Sequence, residues 1–121
     1  MLEAWWPALL AVAVLLAFNL WRRLRRSSPE VVKEKLENGA LVVDVRSPME
    51  FQSGHFPGAI NVPVEELMNK MDQLGAKDRS IVLYCASGAR SGYAQSMLSR
   101  SGFTDVINAG GLFHIMAHAR G

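Results

Sequence analysis

Beyond residue 28 the apolar positions fall into two alternating patterns. Short runs at Leu41–Val45 (broken only by Asp44), Ile60–Val62, Ile81–Tyr84 and Thr104–Ile107 have the length and β-branched content of strands. Between and around them apolar residues recur three and four apart, the spacing of a helix face: Val31, Val32 and Leu36; Leu67, Met71 and Leu74; Tyr93, Ala94, Met97 and Leu98; then Leu112 to about Ala119. Punctuation agrees with this division. Ser28-Pro29-Glu30 reads as a helix start, Asn38-Gly39 and Gly102 as stops, and Pro63 as the opening of another helix. Arg46–Gly58 is rich in turn residues, and Asn108–Gly111 reads as a tight loop. Strands alternating with helices predict an α/β fold, a small parallel sheet flanked by helices on both faces.

The N-terminal pattern is different. Residues 2–21 are nearly all apolar, interrupted only by Glu3, Pro7 and Asn19. About twenty residues at roughly 1.5 Å each would match a bilayer core of about 30 Å. Trp5, Trp6 and Trp21 stand near the ends, where interfacial aromatics belong. Glu3 rather than a positive charge precedes the run, and no small-residue cleavage site follows it, so a secretory signal fits poorly. The pattern predicts one transmembrane helix (residues 1–21), a basic linker (22–28) and a folded domain (29–121). The arginines after the run put the domain in the cytoplasm by the positive-inside rule, which predicts a single-pass protein of the cell inner membrane.

Charge changes little else. The net charge of +2 over 121 residues comes from Arg22, Arg23, Arg25 and Arg26; from Pro29 onward nine Lys/Arg face ten Asp/Glu. A domain without a basic excess lacks the footprint of a nucleic-acid binder. A single cysteine excludes an intramolecular disulfide.

That cysteine, Cys85, stands at the end of the Ile81–Tyr84 run, followed by Ala86, Ser87, Gly88, Ala89, Arg90 and Ser91 and then a helical pattern. Small residues in a strand–loop–helix turn let successive N–H groups converge as an anion nest at a helix N-terminus. A thiol there is favoured as thiolate, the nucleophilic form. Arg90 keeps its charge and forks onto oxyanions. Such a site binds an anion and attacks it with sulfur. Ser87 and Ser91 supply hydroxyl donors, and Ser91 equally suits a plain N-cap.

A second stretch, Asp44-Val-Arg-Ser-Pro-Met-Glu-Phe-Gln-Ser-Gly-His-Phe-Pro-Gly-Ala-Ile-Asn-Val-Pro63, resembles the DVR…E(F/Y)…GHIPGAxNVP signature of the rhodanese superfamily. Cys85–Ser91 is similar to that family's active-site loop, and Asn108–Leu112 to its closing GG motif. The likeness runs over about residues 29–117 and is fullest to single-domain, phage-shock-type enzymes. It implies a rhodanese-like fold and sulfur transfer. Cys85 would take a sulfane sulfur from thiosulfate or a persulfide donor, hold it as a persulfide in the loop, and pass it to cyanide, a small thiol or a protein thiol. No cofactor or metal is implied. Many family members carry arginine directly after the cysteine; here Ala86 holds that place, which implies weaker thiosulfate binding. Related phosphatases have five residues between Cys and Arg, whereas Cys85 and Arg90 have four, a nest too tight for a phosphoryl group.

Asp44, with an acid also found there in relatives, and Arg46 are candidate supports of the site. Arg46 and Glu50, four apart, suggest an ion pair pinning the 47–57 segment. His55 reads as a hydrogen-bonded turn residue. His114 and His118 have chelating spacing but no third ligand nearby in sequence. Two rivals stand beside the enzyme: a membrane-docked persulfide relay with little thiosulfate activity, and a regulatory module that only senses anions.

Overall fold

The computed structural model describes residues 5–25 and 27–120. In chain order the elements are α1 (Trp6–Arg25), α2 (Pro29–Glu37), β1 (Leu41–Asp44), α3 (Pro48–Gln52), β2 (Ile60–Asn61), two 3₁₀ stretches (Val64–Asn69, Met71–Leu74), β3 (Ile81–Cys85), α4 (Ala89–Arg100), β4 (Val106–Gly111) and α5 (Leu112–Arg120). The four strands form one parallel sheet in the order β2-β1-β3-β4.

Alternation along β3 divides the core into two layers. Ile81, Leu83 and Cys85 pack with Val43, Val45, Leu67, Leu74, Ala94 and Leu98, on the side covered by α4 and the 3₁₀ stretches. Val82 and Tyr84 pack with Val32, Val42, Ala109 and Ile115, under α2 and α5. All five β3 residues are buried because the sheet is covered on both faces, which is why the run reads as continuously apolar. The last residue of this central strand is the cysteine, on the α4 side.

The turn-rich segment contains a helix that its composition hides. Ser47 caps α3: its Oγ accepts from the Glu50 N–H, and Glu50 Oε1 accepts from the Ser47 N–H, with Pro48 at the first helical position. Asn108–Gly111 is likewise the end of β4 rather than a free loop; Leu83 pairs with Asn108 and Cys85 with Gly111, with an irregularity between them. The single helix expected after Pro63 is two 3₁₀ stretches, with Leu67 and Leu74 buried as the pattern required.

The N-terminal apolar run is helical over its described part. Residues 2–4 and Arg26 lie outside the described residues. The helix described there, α1, has Trp6, Leu9, Leu10, Val12, Val14, Leu15, Leu16, Phe18 and Leu20 exposed. Among the described residues no helix is long and apolar enough to cross a membrane. Between Pro7 and Asn19 the uninterrupted apolar run, Ala8–Phe18, rises only about 16 Å against the roughly 30 Å of a bilayer core. Beyond α1, the Ser27 N–H donates to the Asn108 carbonyl at 3.2 Å and so ties the linker to β4.

Candidate active site

Cys85 is wholly buried, and its Sγ is met by two donors: the Gly88 N–H at 2.9 Å and the Ser91 hydroxyl at 3.4 Å. The loop can double back on the sulfur because Gly88 has φ +99°, a conformation that strains a side-chain-bearing residue. A Cβ on Gly88 would also lie 3.3 Å from Gly110 Cα, so the loop packs against the end of β4. Burial pushes the Cys85 thiol up, but the Ser91 hydroxyl and the amides of Ser91, Ser87 and Gly88 outweigh it and hold the thiol below its ordinary value. Of the nest expected over Ala86–Ser91, the hydrogen bonds to Sγ come from the Gly88 N–H and the Ser91 hydroxyl. Ala86, Ser87 and Ala89 are exposed on its outer side.

Ser91 is not the N-cap. That place is taken by Gly88, and Ser91 lies in the first turn of α4, fully buried, with Oγ 2.6 Å from Asn108 Oδ1 and 3.2 Å from the Gly88 carbonyl. Asn108 was legible only as part of a motif. Its side chain also accepts from the Gly110 N–H at 2.9 Å and donates to the Gly88 carbonyl at 3.2 Å.

The ion pairs differ from the sequence pairing. Glu50 binds Arg90 rather than Arg46, with Nη1 to Oε1 at 2.8 Å and Nη2 to Oε2 at 3.0 Å. The Arg90 guanidinium and the Ser47 amide hold the Glu50 carboxyl down at about 2. The Arg90 expected to lie open for an anion is therefore engaged on one edge.

Arg46 forks onto Asp44, through Nε at 3.0 Å to both oxygens and Nη2 at 2.7 Å to Oδ2, and Nη2 also donates to the Gly54 carbonyl at 2.7 Å. Its guanidinium lies over the Tyr84 ring, 5.7 Å from the centroid. Arg46 does pin the 47–57 segment as expected, but with Asp44 as its partner. Among the described residues no hydrogen bond from Asp44 or Arg46 reaches the Cys85 loop, so their support is of the segment that carries Glu50. Tyr84 adds a second tie, its hydroxyl accepting from the Phe56 N–H at 2.9 Å. Burial pushes this phenol up to about 12. His55 is the turn residue expected: its Nδ1 is 2.9 Å from the Phe51 carbonyl and its ring stacks on Phe51. Among the described residues no group of three His, Cys, Asp or Glu side chains is placed to hold one metal ion.

Residues 28–117 match the family model of the rhodanese-like domain. The chain belongs to the rhodanese family. It is 41% identical over 71 residues to a protein of Escherichia coli named thiosulfate sulfurtransferase PspE, a match covering 58% of this chain and 68% of that one. It is 40% identical over 80 residues to a protein of Allochromatium vinosum named sulfurtransferase, covering 66% and 72%. A solved structure titled as a rhodanese with anions from E. coli superposes with a TM-score of 0.60 at 38% identity, over 63% of this chain and 91% of that one. In this rhodanese, then, the buried sulfur, its two donors and Arg90 share one strand–loop–helix turn where β3 of the parallel sheet leads into α4.

Proposed function

We infer that this rhodanese is a sulfurtransferase that carries sulfane sulfur on Cys85. The observation that bears the reading is the pair of donors on Sγ, from Gly88 and Ser91, which favour an anionic sulfur at a buried position. The Cys85 thiolate attacks the outer sulfur of thiosulfate, the S–S bond of thiosulfate breaks, and sulfite leaves with the electron pair. The product is a Cys85 persulfide whose negative charge the loop amides accept without rearranging. An acceptor such as cyanide or a thiolate then attacks the terminal sulfur and returns Cys85 as thiolate, a covalent relay in two half-reactions. Asp44 and Arg46 act at one remove, by holding the segment that places Glu50 against Arg90.

The Glu50–Arg90 pair favours a particular donor. With one edge of its guanidinium neutralised, Arg90 offers less attraction to dianionic thiosulfate than a free arginine would, and Ala86 adds no second cation. A persulfide donor, small or on a protein, needs less positive charge. Turnover with cyanide tests both steps: thiocyanate should form from thiosulfate, form faster from a low-molecular-weight persulfide, and fall to the uncatalysed rate of each donor in Cys85→Ser. No rate above the uncatalysed one from either donor would overturn the assignment.

The finer reading of location rests on α1. The stretch from Trp6 to Leu20 in α1 is apolar except for Asn19, and its large side chains are exposed and need cover. Membrane association through this helix, with the arginines and the domain on the cytoplasmic side, supplies it. The full chain should then sediment with lipid vesicles and a chain starting at Ser27 should not; equal behaviour of the two would contradict it.

A further inference from the structure

We propose that Asn108 is the positioning residue of the Cys85 loop, its one carboxamide governing both donors that meet the sulfur. The inference rests on the sulfur-transfer reading of Cys85 and concerns a residue outside the loop itself. Asn108 is 5% exposed and sits on β4, directly beside β3. Its Oδ1 takes the Ser91 hydroxyl at 2.6 Å and its Nδ2 holds the Gly88 carbonyl at 3.2 Å. Those are the two residues whose hydroxyl and N–H contact Sγ.

A serine in the first turn of a helix has a default partner, the carbonyl three or four residues back. For Ser91 that is Gly88, whose oxygen is only 3.2 Å from Oγ. Asn108 works against this default in two ways. It offers a nearer acceptor on the side of the hydroxyl that leaves Oγ within reach of Sγ. It also fills the Gly88 carbonyl, which already accepts the Gly92 N–H at 3.0 Å. The hydroxyl has one proton. While sulfur is neutral the proton rests on Asn108 Oδ1; when sulfur becomes anionic the proton turns to Sγ, and Oδ1 keeps the Gly110 N–H. The same Gly110 bond bends the strand end so that Gly110 abuts Gly88 and Gly111 abuts Ala86. Without Asn108, Ser91 falls back onto the Gly88 carbonyl and Sγ loses a donor.

The test is a pH titration of thiolate absorbance in the full chain, with Cys85→Ser as the blank, which is clean because there is one cysteine. Asn108→Ala should raise the apparent Cys85 pKa by about one unit, so that the thiolate fraction below that pKa falls roughly tenfold, the effect of losing one hydrogen bond to a charged sulfur. Ser91→Ala should raise it as well, and the double variant should match Asn108→Ala alone. Asn108→Ser, whose hydroxyl still reaches the Gly110 N–H but not Gly88 and Ser91 together, should show the same rise if Asn108→Ala does not fold. An unchanged or lowered pKa in a folded variant, or shifts that simply add, would overturn the proposal. A melting point that drops with the pKa unmoved would mark Asn108 as merely structural. None of these readings needs sulfur transfer, so failure of the transfer assignment registers separately, as absence of sulfur on Cys85.

Discussion

Arg90 and Glu50 are joined at two points, Nη1 to Oε1 at 2.8 Å and Nη2 to Oε2 at 3.0 Å, forty residues apart in the chain. The bond links the helix that caps the cysteine loop to the short helix after β1. It neutralises one edge of the guanidinium, on which the charge of Cys85 also acts.

Replacing Glu50 by Gln keeps a capping-box partner for Ser47 and removes the carboxylate charge. The freed guanidinium should bind thiosulfate more tightly. Steady-state kinetics should show KM for thiosulfate falling several-fold, with kcat little changed and the preference for a persulfide donor reduced. An unchanged KM would mean that Arg90 does not meet the donor.

The pH dependence follows from two depressed groups. Cys85 is held below its ordinary value, so the thiolate is present, and the first half-reaction proceeds, from a pH below that of a free thiol; the rate should fall as pH drops through the Cys85 value. Glu50 is held at about 2, so its pair contributes stability above the unfolded carboxyl range and loses it only as pH falls toward about 2. The acid limb of the rate profile should therefore be single and coincide with the thiolate titration of Cys85. A second limb near the usual glutamate range would contradict this.

Gly111 lies so close to the loop that a Cβ there would be 2.5 Å from the Ala86 carbonyl oxygen, a backbone atom with nowhere to go. Gly111→Ala should displace the loop, lower stability by about 1–3 kcal/mol in chemical denaturation, and cut transfer activity at least tenfold. Activity surviving intact would mean that the strand end does not set the loop.

Asp44 and Arg46 form a buried pair, side chains 0% and 8% exposed. Asp44→Asn leaves a buried guanidinium without its counter-charge and should lower stability by about 3 kcal/mol, with proteolysis appearing first in the 47–57 segment. A loss under about 1 kcal/mol would place the pair among ordinary surface bridges.

What the sequence exposed and what it hid divide along physical lines. The β3 run, the small-residue loop and the α4 face are contiguous, so periodicity placed the strand and helix while the lone cysteine and the small residues after it marked the loop between them. Glu50 and Arg90 are far apart in sequence, and the four-residue spacing of Arg46 and Glu50 offered a false local partner; Arg46 precedes the Ser47 cap of α3, so that spacing does not lie on one helix face. The signal for α3 was available in Ser47-Pro48-Met49-Glu50, a capping box behind Gly- and Pro-rich surroundings. Asn108 belongs to no period, and only the register of β4 against β3 brings its carboxamide to Ser91. At the N-terminus the apolar run was legible, while the length between Pro7 and Asn19 is a matter of helix geometry.

The most direct measurement is the mass of Cys85 after exposure of the full chain to thiosulfate or a persulfide donor, with Cys85→Ser as control. Sulfur transfer through Cys85 requires a gain of about 32 Da on that residue, one sulfur held as a persulfide, removed by cyanide and absent in the control. No gain from either donor would contradict it, leaving a rhodanese loop that does not carry sulfur.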